Sequence, residues 1–232
     1  MAWGEIQMVD FSLFMVFSVL ETTAMFFLIF RMFKIDIFFK EILFAGAIMA
    51  FVSFVLRNDY GFVYVDILLQ FLLMFLFMWL IIRIHLLYAV ILTGVAYQCY
   101  LLIQSVYLII MSQFGLFEST IPYITETSTY ILQTISAVSV FILASYIKKK
   151  RTGFDFVPDS PRRKIPMHLK SRDLHLFLLT LPSPIIFIIT LHMVETLSSY
   201  YLAIPVIYVL FLFCFLFVSY KKDWEDANRN DL

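Results

Sequence analysis

The sequence predicts an all-α protein, a polytopic membrane helix bundle of about seven transmembrane helices, with its N-terminus outside and its C-terminus in the cytoplasm. Three observations predict this: the composition, the number of long apolar stretches and the distribution of Lys and Arg. Of 232 residues, 62% are hydrophobic and 15% are charged, against roughly 45–50% and about 25% in soluble domains. So much apolar side chain could not be hidden from water inside a soluble core.

Seven stretches are long and apolar enough to cross a bilayer, which takes about 20 residues. They run over approximately 10–32, 37–56, 62–82, 86–112, 127–147, 174–194 and 200–220. The first stretch has neither a basic segment before it nor a cleavage site of small residues, so it is expected to be retained rather than removed as a signal peptide. We therefore expect residues 1–232 to form a single transmembrane bundle, with a basic loop at 148–173 and a tail at 221–232.

The basic residues predict the orientation, because Lys and Arg concentrate in short cytoplasmic loops. Three lie around the first connection, one in the third, nine in the fifth and three in the tail, whereas Arg57 alone lies in the second. The side that carries sixteen of the seventeen is expected to be the cytoplasm. A net charge of zero, with no basic soluble surface, gives no support for binding nucleic acid.

Ionisable residues within a bilayer are costly and are therefore candidates for function. Glu21 lies in the middle of the first span, and Asp66 and Gln70 share one face of the third. Tyr and Gln residues recur along the fourth span at helical spacing and form one stripe. The same pattern occurs at helix–helix interfaces. The predicted ligand-binding residues, in the outer half of the bundle, are Glu21, Asp66, Gln70, Tyr97, Tyr100, Gln104, Tyr107, Gln133 and His192.

Catalytic and metal sites find little support in the sequence. Cys99 and Cys214 lie inside apolar runs and are expected to be small buried residues. His192 and Glu195 lie one turn apart, but a metal ion needs further ligands. We therefore expect no enzymatic activity, no metal and no cofactor.

Two further features have structural and functional interpretations. Pro182 and Pro184 interrupt the sixth span, which is expected to be kinked or broken there, either as simple packing or as part of a transport site. The 148–173 loop is expected to contact anionic lipid or a cytoplasmic partner. The basic residues expected to do so are Lys148, Lys149, Lys150, Arg151, Arg162, Arg163 and Lys164.

Several segments resemble the membrane region of a known family of sensors. FRMFKIDIFFKEIL, SFVLR and RIHLLYAVILTGVAYQCYLLIQ are similar to segments in the N-terminal halves of peptide-sensing histidine kinases of the accessory gene regulator type, from Gram-positive bacteria. The resemblance covers roughly residues 15–220 and implies a bacterial cytoplasmic membrane location and a peptide ligand. Only YKKDWEDANRNDL follows the last span, so we expect no phosphoacceptor helix and no ATP-binding domain of the kind that those kinases carry.

The leading hypothesis from the sequence is a non-enzymatic sensor or regulatory module. It would bind an extracellular signal, with a peptide as the expected ligand, and relay binding to a cytoplasmic or membrane signalling protein. The alternative is a small transporter or a transporter subunit, in which Glu21 would relay a proton or pair with a substrate cation. A structural partner that binds no ligand is a third interpretation.

Overall fold

A computed structural model describes residues 2–115, 127–157, 171–196 and 203–230 of the chain. Within these ranges the protein is built from helices and contains no strand. The helices are α1 Ala2–Met32, α2 Phe39–Phe54, α3 Val63–Leu76, α4 Leu86–Gln113, α5 Thr127–Lys150, α6 Ser171–Thr180, α7 Ser183–Thr196 and α8 Ala203–Asn230. Two of them, α2 and α3, continue into π-helical turns at Val55–Asp59 and Phe77–Ile81.

The predicted bundle of seven transmembrane helices is confirmed. The described residues contain seven apolar spans of sufficient length: Asp10–Met32, Phe39–Asp59, Val63–Ile81, Leu86–Gln113, Thr127–Lys150, Asp173–Thr190 and Ile204–Glu225. Large apolar side chains cover the outer surface, as a bilayer requires and water would not tolerate. Examples that are more than half exposed are Phe44, Ile142, Ile185, Leu210 and Phe213. The chain is therefore an integral membrane protein with several membrane crossings. Its orientation remains a prediction.

Helix ends differ from the sequence-based boundaries at three places. The fifth helix continues to Lys150, so Lys148, Lys149 and Lys150 form its last turn rather than the start of a loop. Cations are favourable at that end of the helix dipole. The eighth helix continues to Asn230, so most of the predicted tail is helical. The sixth span consists of two helices, α6 and α7, and the break predicted at Pro182 and Pro184 lies between them.

The centre of the bundle is α4, which packs against α1, α3, α5, α6, α7 and α8. Two-thirds (67%) of its most apolar segment is buried, compared with 22–44% in the other spans. Its sequence permits this because small residues let neighbouring backbones approach closely. A Cβ atom added to Gly94 would lie 2.5 Å from Thr180 Cβ and 2.6 Å from the Thr180 carbonyl oxygen. Gly94 is therefore the point at which α4 meets the end of α6.

One end of the bundle is rich in cations, and we call it the basic end. It carries Lys34, Arg83 and Arg151, each with a positive φ at the end of a helical segment. The segment after α5 stays at this end and packs against the last turn of α1. There the Phe154 amide donates to the Met32 carbonyl oxygen at 2.7 Å, and Gly153 lies so close that a Cβ atom would be 2.8 Å from that oxygen.

Candidate functional site

A polar cavity of about 70 Å³ lies within the bundle, in the half away from the basic end. It is lined from α1, α2 with its π-helical turn, α3, α4, α5 and α7. Ten of its sixteen lining residues are polar: Ser18, Glu21, Thr22, Ser53, Arg57, Gln70, Tyr97, Tyr100, Gln104 and Gln133. A water molecule needs about 10–15 Å³ of such space. The cavity therefore has room for a few waters or for one small functional group.

The wall formed by α2 and α3 is held together by Asp66, whose side chain is completely buried. Arg57 Nε donates to Asp66 Oδ2 at 2.5 Å, and Ser53 Oγ donates to the same oxygen at 2.9 Å. Gln70 Nε2 donates to Asp66 Oδ1 at 3.1 Å and to the Met49 carbonyl oxygen at 3.0 Å. Both carboxylate oxygens of Asp66 thus accept hydrogen bonds, so this group is fixed and electrostatically compensated.

The local sequence explains this arrangement. Asp66 lies in the first turn of α3, where the positive end of the helix dipole favours a carboxylate. Gln70 follows one turn later on the same face. Arg57 lies in the π-helical turn after α2, one turn beyond Ser53. Such turns are frequent at functional sites, and this one brings a guanidinium group to a carboxylate within the span.

Glu21, on the opposite wall, has fewer partners. Gln133 Nε2 on α5 donates to Glu21 Oε2 at 2.8 Å. Among the described residues, no Lys, Arg or His side chain lies within ion-pair distance of this carboxylate. The other amide atom, Gln133 Oε1, is buried and accepts no hydrogen bond. Glu21 therefore faces the cavity as a carboxylate without a cation in contact with it.

Most of the predicted ligand-binding residues meet at this cavity. Glu21, Gln70, Tyr97, Tyr100, Gln104 and Gln133 line it, and Asp66 lies directly behind the lining. Two of the predicted residues lie elsewhere. The Tyr107 hydroxyl is 2.7 Å from Ser139 Oγ and joins α4 to α5, and His192 is exposed on α7, away from the lining.

Three lining hydroxyls were not among the predicted ligand-binding groups: those of Ser18, Thr22 and Ser53. A signal for the first two was present. Ser18, Glu21, Thr22 and Met25 follow the spacing of three and four that marks one face of a helix. Because α1 has almost no amphipathic character over its whole length, this short polar stripe is concealed by the apolar residues around it.

The break between α6 and α7 is packed rather than open. Gln98 Nε2 donates to the Leu179 carbonyl oxygen at 2.9 Å and to Ser183 Oγ at 3.0 Å. Ser183 Oγ donates to the Thr180 carbonyl oxygen at 2.5 Å. These side chains satisfy backbone groups that the prolines leave without helical partners, as the bilayer interior demands.

A second buried charged group lies at the basic end. Lys222 on α8 forms an ion pair with Asp173 on α6, and its Nζ also donates to the Tyr88 hydroxyl at 3.0 Å. The same ammonium group lies 4.2 Å from the ring centroid of Phe156 and 4.7 Å from that of Tyr88. From the sequence, Lys222 was expected in the tail. Its burial was not predicted, because α8 was expected to end before it.

The predicted lipid- or partner-contacting residues divide into two groups. Lys148, Lys149, Lys150 and Arg151 are exposed at the basic end, where cations can contact lipid head groups. Arg162, Arg163 and Lys164 lie outside the described residues. Within the described part of the chain, no three His, Cys, Asp or Glu side chains are grouped as metal ligands would be.

Comparison of the chain with protein-family models, with curated proteins and with solved structures gives no significant match in any of the three. The resemblance to peptide-sensing histidine kinases therefore stays a prediction. The candidate site has to be interpreted from its own geometry.

Proposed function

We propose that this protein is a non-enzymatic membrane sensor that binds a small polar group of an extracellular signal in the cavity and relays binding to a cytoplasmic partner. The observation that supports this most directly is the origin of the lining, which comes from α1, α2, α3, α4, α5 and α7. A ligand bound there contacts nearly every helix of the bundle. Its binding free energy therefore depends on how those helices pack.

A route from the cavity to the basic end runs along α4. Tyr97, Tyr100 and Gln104 line the cavity. Tyr88, about 18 Å from Tyr100 along the helix axis at 1.5 Å per residue, contacts Lys222 of α8. A tilt or rotation of α4 on binding would move Tyr88 against the last helix. A ligand produces such a shift only if it binds one packing of the helices more tightly than the other.

The cavity volume restricts the signal. Sites for drug-sized ligands have volumes of about 300–1,000 Å³, whereas this cavity holds about 70 Å³. A whole peptide is too large for it in this packing. A peptide signal would insert one side chain or its terminal group, and a small free molecule would enter whole.

Transport is the second candidate. It is favoured by Phe187, which follows the α6–α7 break and lines the cavity, because broken helices form substrate sites in transporters. The hydrogen bonds from Gln98 and Ser183 weigh against transport, since they already satisfy the backbone carbonyl groups at the break. Uptake of a solute into proteoliposomes that is abolished by Glu21→Gln would favour transport over sensing.

The test begins with a crosslinked pull-down of the tagged protein from its native membranes, followed by mass spectrometry. We expect a histidine kinase, a response regulator or another signalling protein to be recovered. The output of that partner should fall in Glu21→Gln and in Asp66→Asn. Asp10→Asn is the matched control, because it changes an exposed carboxylate on the same helix, α1.

Two results would contradict the proposal. Unchanged output in both cavity variants, at normal membrane levels, would exclude the cavity as the sensing site. Recovery of an ATPase or a transport subunit as the stable partner would assign the protein to a carrier.

A further inference from the structure

The described charged groups around the cavity are unequal in number. Two carboxylates, Glu21 and Asp66, face one guanidinium, Arg57. Arg57 is held by Asp66 at 2.5 Å, so Glu21 is the carboxylate that remains without a cation in contact. Glu21 accepts a hydrogen bond from Gln133 and is attracted by the guanidinium of Arg57, but a charge within a membrane span that has no counter-ion in contact is unfavourable. A cation that enters the cavity would remove this imbalance.

A hydrogen-bond acceptor next to Glu21 is also unused. The Gln133 side chain is only 7% exposed, and its Oε1 accepts no hydrogen bond. Gln104 is 5% exposed and lines the same cavity. Buried amides are normally hydrogen-bonded. A buried amide oxygen without a hydrogen bond, beside one carboxylate and a second lining amide, indicates a site preorganised for a donor.

We infer that the cavity is a binding site for a protonated primary amine, with Glu21 as the counter-ion and the Gln133 and Gln104 amide oxygens as additional acceptors. This inference rests on the proposed function and names the chemical class of the ligand. An ammonium group carries three donors and no acceptor, which matches one carboxylate and two amide oxygens.

The rest of the lining agrees with an organic monocation. The rings of Tyr97, Tyr100 and Phe187 form part of the wall, and aromatic rings attract ammonium groups. Arg57 disfavours a divalent ion, because its guanidinium already compensates the second carboxylate. A volume of about 70 Å³ admits the head of a primary amine. A quaternary ammonium has no N–H donor for the carboxylate and amide oxygens.

The experiment measures methylammonium binding to the purified full chain in lipid nanodiscs, by calorimetry and by ligand-dependent thermal unfolding. Methylammonium should stabilise the wild type in a concentration-dependent way, as any ligand of the folded state does. Tetramethylammonium and Na⁺ should not. Glu21→Gln should weaken methylammonium binding by about tenfold or more, the order expected for a charged hydrogen bond. Asp10→Asn should bind like the wild type.

A second variant protects the test against misfolding of Glu21→Gln. Gln104→Leu replaces a buried amide of the lining with an apolar side chain of similar size, so it should unfold at about the same temperature as the wild type or higher. It should nevertheless bind methylammonium several-fold more weakly. Lower stability with unchanged affinity would show that Gln104 serves packing alone, which contradicts the inference.

Two further probes identify the source of the amine. Glycinamide has the free amino group of a peptide N-terminus, and N-acetylglycinamide has the same amide without it. Tighter binding of glycinamide than of methylammonium indicates a peptide terminus, and the reverse order indicates a small free amine. Equal binding of the acetylated form would overturn the inference, and so would Na⁺ stabilising the wild type as well as methylammonium does.

The outcomes also separate this inference from the proposed function. If no amine binds but Glu21→Gln still abolishes the output of the recovered partner, the amine assignment fails and the sensor proposal remains. If amines bind and the output is insensitive to both cavity variants, the binding site is real and the sensing role fails.

Discussion

Two buried charged regions of this protein, one beside the first turn of α4 and one beside its middle, use similar residues to opposite effect. At the basic end, the Lys222 ammonium pairs with Asp173, donates to Tyr88 and lies over two aromatic rings. At the cavity, Glu21 has a hydrogen bond from Gln133 and no cation in contact among the described residues. Both contain a charged group, tyrosines and a polar partner from another helix, but only the first region is closed.

The difference separates a structural role from a ligand-binding one. At the basic end the ammonium and the carboxylate contact each other, and the Tyr88 hydroxyl and two rings complete the surroundings of the ammonium. Such a site can hold helices together but cannot receive anything. The cavity has volume, an amide oxygen without a hydrogen bond and a carboxylate without a cation in contact, so it is costly to the stability of the protein. Sites that bind a ligand commonly retain such costs.

The largest expected effect comes from breaking the closed region. Lys222→Met removes the ammonium and leaves Asp173, whose side chain is 11% exposed, without its cation. Removal of one partner from a buried ion pair typically costs about 3–5 kcal/mol. We expect a loss of stability of this order, measured by thermal or denaturant unfolding in detergent micelles.

Two companion variants make that result specific. Lys149→Met, at an exposed position in the last turn of α5 at the same basic end, should have little effect. The double variant Lys222→Met with Asp173→Asn should recover part of the loss, because no unpaired charge remains. A double variant that is as unstable as the single one would show that Lys222 acts through its packing against Phe156 and Tyr88.

Asp66→Asn is expected to have the next largest effect. It keeps the size of the side chain but removes the charge that Arg57 contacts at 2.5 Å. Hydrogen bonds to charged groups contribute about 1.5–3 kcal/mol, and we expect a loss in this range. The effect should be smaller than at Lys222, because the Arg57 side chain is 20% exposed and stays partly hydrated. An equal or greater loss would place the main structural ion pair at the cavity instead.

The sequence predicts the fold better than it predicts these two regions, and the reason is physical. Apolar runs and the distribution of cations report on the bilayer, which acts on every residue of a span. The partners of Glu21 and Lys222 lie on other helices, and helix rotation is set by tertiary packing. Glu21 and Asp66 could be selected as costly within a membrane, whereas Lys222 could not, because its burial depends on the length of α8 and on Phe156.

Gly94→Ala tests how tightly α4 packs against α6 between the two regions. Gly94 lies between Tyr88 and Tyr97, and an added Cβ atom would lie 2.5 Å from Thr180 Cβ. Overpacking of this kind costs about 1–3 kcal/mol, and we expect such a loss in unfolding experiments. Gly46→Ala is the matched control, since its Cβ atom would lie at an ordinary 3.5 Å from Val19 Cγ1. Equal effects of the two substitutions would show that the contact of α4 with α6 is easily relaxed.

The smallest expected effect on stability is that of Glu21→Gln, and this small effect distinguishes the two regions most sharply. The variant removes a charge that has no cation in contact and keeps a side chain to which Gln133 can donate. We therefore expect the free energy of unfolding to change by less than about 1 kcal/mol, or to rise. In Lys222→Met the same kind of measurement should show a large loss. If Glu21→Gln is as destabilising as Lys222→Met, the Glu21 carboxylate is part of the structural framework and the cavity is not preorganised for a ligand. If the variant is stable and has lost its response to methylammonium, stability and binding are carried by different charged groups at two positions along α4.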